Sequence, residues 1–177
     1  MKKLFILAAA LFAIGTVSAQ KFARVNLQEI VVAMPEFEQA QKNLEAFGKD
    51  LQEQMEQIQV EFNNKLADFQ KNQATMAASV KQMRQQELEQ LQQRFSEFQQ
   101  IAQQDFQKKE AELIEPVQKK ANDAVNKVAK AAGYIAVFNT SVPSLAYFDE
   151  AQLTDIAPLV KKELGIVDKP AAAPATK

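Results

Sequence analysis

From Leu44 to Phe69 the apolar residues fall at Leu44, Phe47, Leu51, Met55, Ile58, Phe62, Leu66 and Phe69, in steps of 3, 4, 4, 3, 4, 4 and 3. Residues three and four apart line one face of a helix, and no strand can align them. The spacing is an eleven-residue repeat, about 3.67 residues per turn, which suits a nearly straight seam. A second series, Leu91, Phe95, Phe98, Ala102, Phe106 and Leu113, mirrors those steps. Laid antiparallel, the two series register. Phe47 meets Phe106, Leu51 meets Ala102, Met55 meets Phe98, Ile58 meets Phe95 and Phe62 meets Leu91, and the numbers of every pair add to 153. Leu44 opposite Lys109 is a mismatch.

The same rule puts the turn between Met76 and Ala77. Ser79-Val80-Lys81-Gln82 has the form of a capping box and predicts the start of a second helix. Pro35 and Pro116 fall at nearly the same level, at the base of the hairpin. Pro116 removes a helix hydrogen bond and is the expected kink or hinge. A first arm of about forty residues would reach roughly 60 Å. The phenylalanines on the seam read as packing between the arms.

Around the hairpin the chain changes character. Residues 1–19 carry Lys2 and Lys3, an apolar run from Leu4 to Ile14, and Val17-Ser18-Ala19. This is the pattern of a signal peptide, with cleavage expected near Ala19/Gln20 and an apolar run too short to span a bilayer. "FARVNLQEIVVAM", in residues 20–35, leans toward strand and is ended by Pro35. Residues 36–115 are the hairpin, with its tip near 75–79. Residues 116–167 hold the end of the second helix, then "GYIAVF" and "SLAYF" as strands. "LTDIAPLVKKELG" follows as a short helix, with Thr154 as N-cap and Gly165 as its stop. Residues 168–177, "DKPAAAPATK", read as a disordered Pro/Ala-rich tail. The fold class expected is α+β: a long antiparallel helical hairpin on a small β-rich body. A body of roughly sixty residues buries little apolar surface alone. Its uncharged strands predict an oligomer with a shared core of Tyr134, Val137, Phe138, Leu145 and Phe148.

Several chemistries are excluded. The chain has no cysteine, histidine or tryptophan and only four glycines. Disulfides, Ser-His-Asp and Cys-His nucleophiles, histidine-ligated metals and glycine-rich phosphate loops all lack their residues. No catalytic residue, cofactor or metal is expected, and an exported acidic chain is not expected to bind nucleic acid.

The opening "ARVNLQEIVVAMPEFEQAQKNLE", the junction "AKAAGYIAVF" and the close "AYFDEAQLTD" resemble the Skp, or OmpH-like, family of periplasmic chaperones of Gram-negative bacteria. The resemblance spans about residues 22–165. It implies a jellyfish-like homotrimer in the periplasm, with a β-barrel body and three hairpin tentacles around a cavity. It also implies ATP-independent holding of unfolded outer-membrane β-barrel proteins, which prevents their aggregation. The alternative is a trimeric coiled-coil spacer or envelope tether without clients, which the hairpin and body would fit as well.

Two sets of residues are candidates for contact. The arms carry twenty glutamines between Gln39 and Gln118, hydrogen-bonding groups without fixed charge. Off-seam apolar residues Val60, Ala67 and Ile101 either face a client cavity or broaden the seam. The stretch from Phe69 to Gln86 has no acid and carries Lys71, Lys81 and Arg84. On either side the chain is acidic, with nine acids and three bases in residues 28–68. A basic tip on an acidic shaft suits anionic lipid, lipopolysaccharide or acidic clients; a solvated turn is the plainer alternative.

Overall fold

The computed structural model describes residues 20–142 and 147–167. In chain order they form β1 (Lys21–Val25), α1 (Leu27–Ala33), α2 (Pro35–Asn72), α3 (Ala78–Ala132), β2 (Tyr134–Asn139), a 3-10 turn (Glu150–Gln152), β3 (Thr154–Asp155) and α4 (Ala157–Glu163). The fold is α+β, two long helices with a small three-stranded sheet. Two compact units divide the chain: residues 31–120, and the residues before 31 together with those after 120.

In the first unit α2 and α3 pair antiparallel in the expected register. Ile58, Phe62, Leu91 and Phe95 line one cleft. A Cβ placed on Gly48 would lie 3.1 Å from the ring of Phe106, so that ring sits in the notch the glycine leaves. Ion pairs cross between the arms from Glu36 to Lys120, Glu61 to Arg94 (3.6 Å) and Glu87 to Lys65 (3.6 Å). Ala40, Ile58, Leu91 and Ala102 are buried. The phenylalanines of the seam stay half-buried, because two helices alone cannot surround a ring.

The turn differs in detail from the expectation. α2 stops at Asn72, whose carbonyl accepts hydrogen bonds from both the Thr75 N–H and its hydroxyl, each at 3.0 Å. α3 starts at Ala78, with Lys81 N–H bonded to Ala77 O at 2.9 Å. Ser79 therefore lies inside the first turn, and no capping box forms, since the capping side chain must come from the residue before the helix. Pro35 does not end an element; it opens α2, where its missing N–H would have no partner.

In the second unit β1 is the central strand. β2 and β3 flank it, both parallel to it. The register pairs Ala23 with Val137 and Arg24 with Phe138 on one side, and Arg24 with Asp155 on the other. Ala23, Val25, Ile30, Ala121, Ala124, Val128, Ile156, Ala157 and Val160 form the core. Three expectations are corrected here. Residues 27–33 are helix, not strand: Asn26 Oδ1 accepts from Glu29 N–H at 3.2 Å, and Ile30, Val31 and Met34 are all buried at helical spacing. Tyr147 and Phe148 lie outside any strand, and Leu145 lies outside the described residues. The third strand is Thr154–Asp155, so Thr154 caps nothing; Asp155 Oδ1 accepts from Ala157 N–H at 2.9 Å instead.

Gly133 and Gly165 stop α3 and α4 with φ of 72° and 69°, the left-handed region that favours glycine. At Gly165 the two hydrogen bonds of a Schellman turn are both made, Gly165 N–H to Lys162 O and Ile166 N–H to Lys161 O.

Candidate functional surfaces

At the loop end of the hairpin, Lys71 is exposed in the last turn of α2 and Lys81 is half-buried in the first turn of α3. Among the described residues neither has an ion-pair partner. Arg84 does. Its Nη1 donates to Glu87 Oε2 at 2.8 Å, and Lys65 Nζ from the other arm lies 3.6 Å from the same oxygen. The bond from Arg84 holds the Glu87 carboxyl below the usual carboxylate range, and the same bond raises Arg84. Asp68 adds a further pull on Arg84. The expectation of three bases without a nearby acid is thus corrected. Glu87 lies just past the acid-free stretch in sequence, but one helical turn returns it beside Arg84. Val80 and Met83 are exposed on the same stretch of α3, an apolar component the charge pattern did not signal.

The off-seam residues are clearer. Val60 and Ile101 are 48% and 53% exposed and Ala67 is exposed, so none of them broadens the seam. Val60 sits in a shallow concavity with Glu53, Glu56 and Glu61.

The sheet has two unlike faces. Side chains alternate along a strand, so Ala23, Val25 and Val137 share one face, and Phe22, Arg24 and Phe138 share the other. Val137 lines a groove of about 430 Å³ with Val125 and Ala129 of α3. On the opposite face Phe22 and Phe138 stack with ring centroids 6.2 Å apart, and Phe22 remains 37% exposed. Arg24 lies beside them, 3.6 Å from Asp155. Of the expected shared-core set, Phe138 lies on this open face, Val137 on the helix-facing side, and Tyr134 and Phe148 are half-buried. The sequence reading missed Phe22 and Ile135, the latter 58% exposed. The alternation in "KFARV" was the available signal for Phe22. Beyond β1, β2 pairs with no other strand among the described residues.

Pro116 is exposed inside α3, and the helix continues past it to Ala132. The boundary between the two units falls four residues later, after Lys120.

Residues 21–164 match the family described as outer membrane protein (OmpH-like). The chain belongs to the OmpH-like family. The match opens on the first residue of β1 and closes at the residue after α4. The chaperone protein Skp of Photorhabdus laumondii is 26% identical over 165 residues, covering 91% of this chain and all of that one. Skp of Yersinia enterocolitica is 28% identical over 158 residues, covering 89% and 94%. A crystal structure described as an OmpH-like outer membrane chaperone from Caulobacter crescentus shares the fold, with a TM-score of 0.71 at 12% identity over 82% of this chain and 83% of that one. Among the described residues of this OmpH-like chain, no helix is long and apolar enough to cross a membrane.

Proposed function

We propose that this chain is a periplasmic holdase that binds unfolded outer-membrane β-barrel proteins between helical hairpins and keeps them from aggregating. The family match over nearly the whole chain after residue 20 carries this reading, together with relatives named as chaperones. It works without ATP and without catalysis, as a homotrimer, after its leader is removed near Ala19. The exposed Phe22–Phe138 face and the unpaired edge of β2 support the self-association, since an open strand edge and an apolar face invite a second copy. The glutamine-rich arms, with Val60, Ala67 and Ile101 outside the seam, supply weak apolar contact on a polar lining. Pro116 is the point where each arm bends.

The test dilutes a urea-denatured outer-membrane β-barrel protein into buffer with and without the purified chain and follows turbidity. A holdase suppresses turbidity increasingly as its ratio to the client is raised. A trimer that leaves turbidity unchanged is a spacer, and a folded monomer in light scattering defeats the shared-core argument.

A second reading concerns the loop end of the hairpin. Unpartnered Lys71 and Lys81 beside exposed Val80 and Met83 suit an anionic lipid surface. Lys71→Glu with Lys81→Glu weakens binding to anionic vesicles, and wild-type binding fades as salt rises.

A further inference from the structure

We propose that Glu87 is the internal occupant of an anion site at the loop end of the hairpin, and that an anionic lipid surface takes its place. The inference rests on the reading that this end meets such a surface. Lys65 from α2 and Arg84 from α3 converge on one oxygen, Glu87 Oε2, at 3.6 and 2.8 Å. Two bases from opposite arms that meet one carboxylate oxygen can also meet an external phosphate oxygen. The occupant is not sealed in. The side chains of Lys65, Arg84 and Glu87 are 37%, 38% and 32% exposed, so solvent and a larger anion reach all three. Asp68 on α2 also acts on Arg84, but it accepts a hydrogen bond from Asn72 Nδ2 at 2.8 Å; among the described residues Glu87 is the carboxylate here that pairs with a base from each arm.

The exchange breaks the Arg84–Glu87 and Lys65–Glu87 contacts and turns both bases to lipid phosphates, so the surface meets four bases instead of Lys71 and Lys81 alone. One carboxylate competes poorly with a dense array of phosphates, which the bilayer presents at once. Val80 and Met83, 38% and 48% exposed, lie within a turn of Arg84 and give the docked end an apolar foothold. Glu87 then acts as a brake: it mutes the basic end in solution and yields only where anionic lipid is concentrated.

The test uses the full mature chain and co-sedimentation with vesicles of phosphatidylglycerol and phosphatidylcholine, against phosphatidylcholine alone. Glu87→Gln is compared with Glu89→Gln, which removes the same charge from an exposed residue two places along α3. Glu87→Ala is the second variant, and circular dichroism checks the helix in each. Releasing two bases raises affinity for the anionic vesicles about five- to tenfold in both Glu87 variants, while Glu89→Gln changes it less than about twofold. Equal gains from Glu87→Gln and Glu89→Gln overturn the proposal, because net charge alone then explains them. Loss of binding in Lys71→Glu/Lys81→Glu with no gain in either Glu87 variant overturns the brake and leaves the lipid-contact reading standing. If no variant distinguishes anionic from neutral vesicles, both fail.

Discussion

The two units bury their apolar residues differently. In the sheet unit Ala23, Ile30, Ala121, Ile156 and Val160 are all at 0% exposure, covered from several directions by strands and helices. In the hairpin unit the seam residues Ile58 and Leu91 remain at 5% and 6%, and the phenylalanines around them are half-exposed. A layered core has neighbours on every side; a two-helix seam is one residue deep. The sheet unit should therefore be sensitive to any single lost side chain. The hairpin spreads its stability over many modest contacts and many local helical hydrogen bonds.

Truncating one residue in each unit gives the largest contrast. Ile156→Ala opens a cavity with no route to collapse and costs about 3–4 kcal/mol, while Ile58→Ala costs about 2 because the arms can close on the gap. Urea unfolding of each variant measures both, and equal losses would erase the distinction between the units.

Gly48 sharpens it next. In an exposed helix interior Gly→Ala gains about 1 kcal/mol. Here the new Cβ comes within 3.1 Å of the Phe106 ring, so Gly48→Ala gains nothing, or loses, in the wild-type chain. In a Phe106→Leu background the gain of about 1 kcal/mol returns. Identical effects in both backgrounds would remove Phe106 from the account.

Pro116→Ala comes third. Restoring the missing N–H adds about 1 kcal/mol of local stability, seen as slower hydrogen exchange in residues 112–117. Unchanged exchange there would deny the proline any role as a bend.

Acid has the smallest effect and acts on the hairpin. Glu36 and Glu87 are both held below the ordinary value of 4.5, Glu36 chiefly by its hydrogen bond to Lys120 and Glu87 by its bond to Arg84. A depressed folded-state value stabilises above the unfolded value and is lost as pH falls through the folded one. Hairpin stability should thus be flat above about pH 5 and decline gradually below 4.5. Both side chains keep about a third or more of their surface in solvent, so salt should flatten the decline. A thermal midpoint that rises on acidification would contradict it.

How much of this the sequence showed depended on repetition. The hairpin register was readable because fourteen apolar positions obey one period, and a single misfit such as Leu44 opposite Lys109 cannot shift the rest. The body has no such redundancy. "LQEIVVA" is rich in β-branched residues, yet a cap from Asn26 and burial of Ile30 and Val31 make it helix. "SLAYF" has the composition of a strand, but the two residues that complete the sheet are the polar Thr154 and Asp155, placed by backbone pairing to β1 alone. The acid-free window was real, but a window in sequence is not a neighbourhood in space, and Glu87 lay just beyond its edge.

The parallel pairing of β1 with β2 sets an order on folding. Leu27 N–H bonds to Asn139 Oδ1 across 112 residues of chain, so the sheet rests on contacts of long sequence separation. Closing so long a loop in a disordered chain costs entropy before any strand contact forms. A hairpin that zips first from its loop, through local contacts, brings Glu36 and Lys120 together and removes most of that chain from the loop still to be closed. The long helices are then the folding scaffold of the sheet. β1 is made more than a hundred residues before its partner β2, and for that interval it has no β2 to pair with.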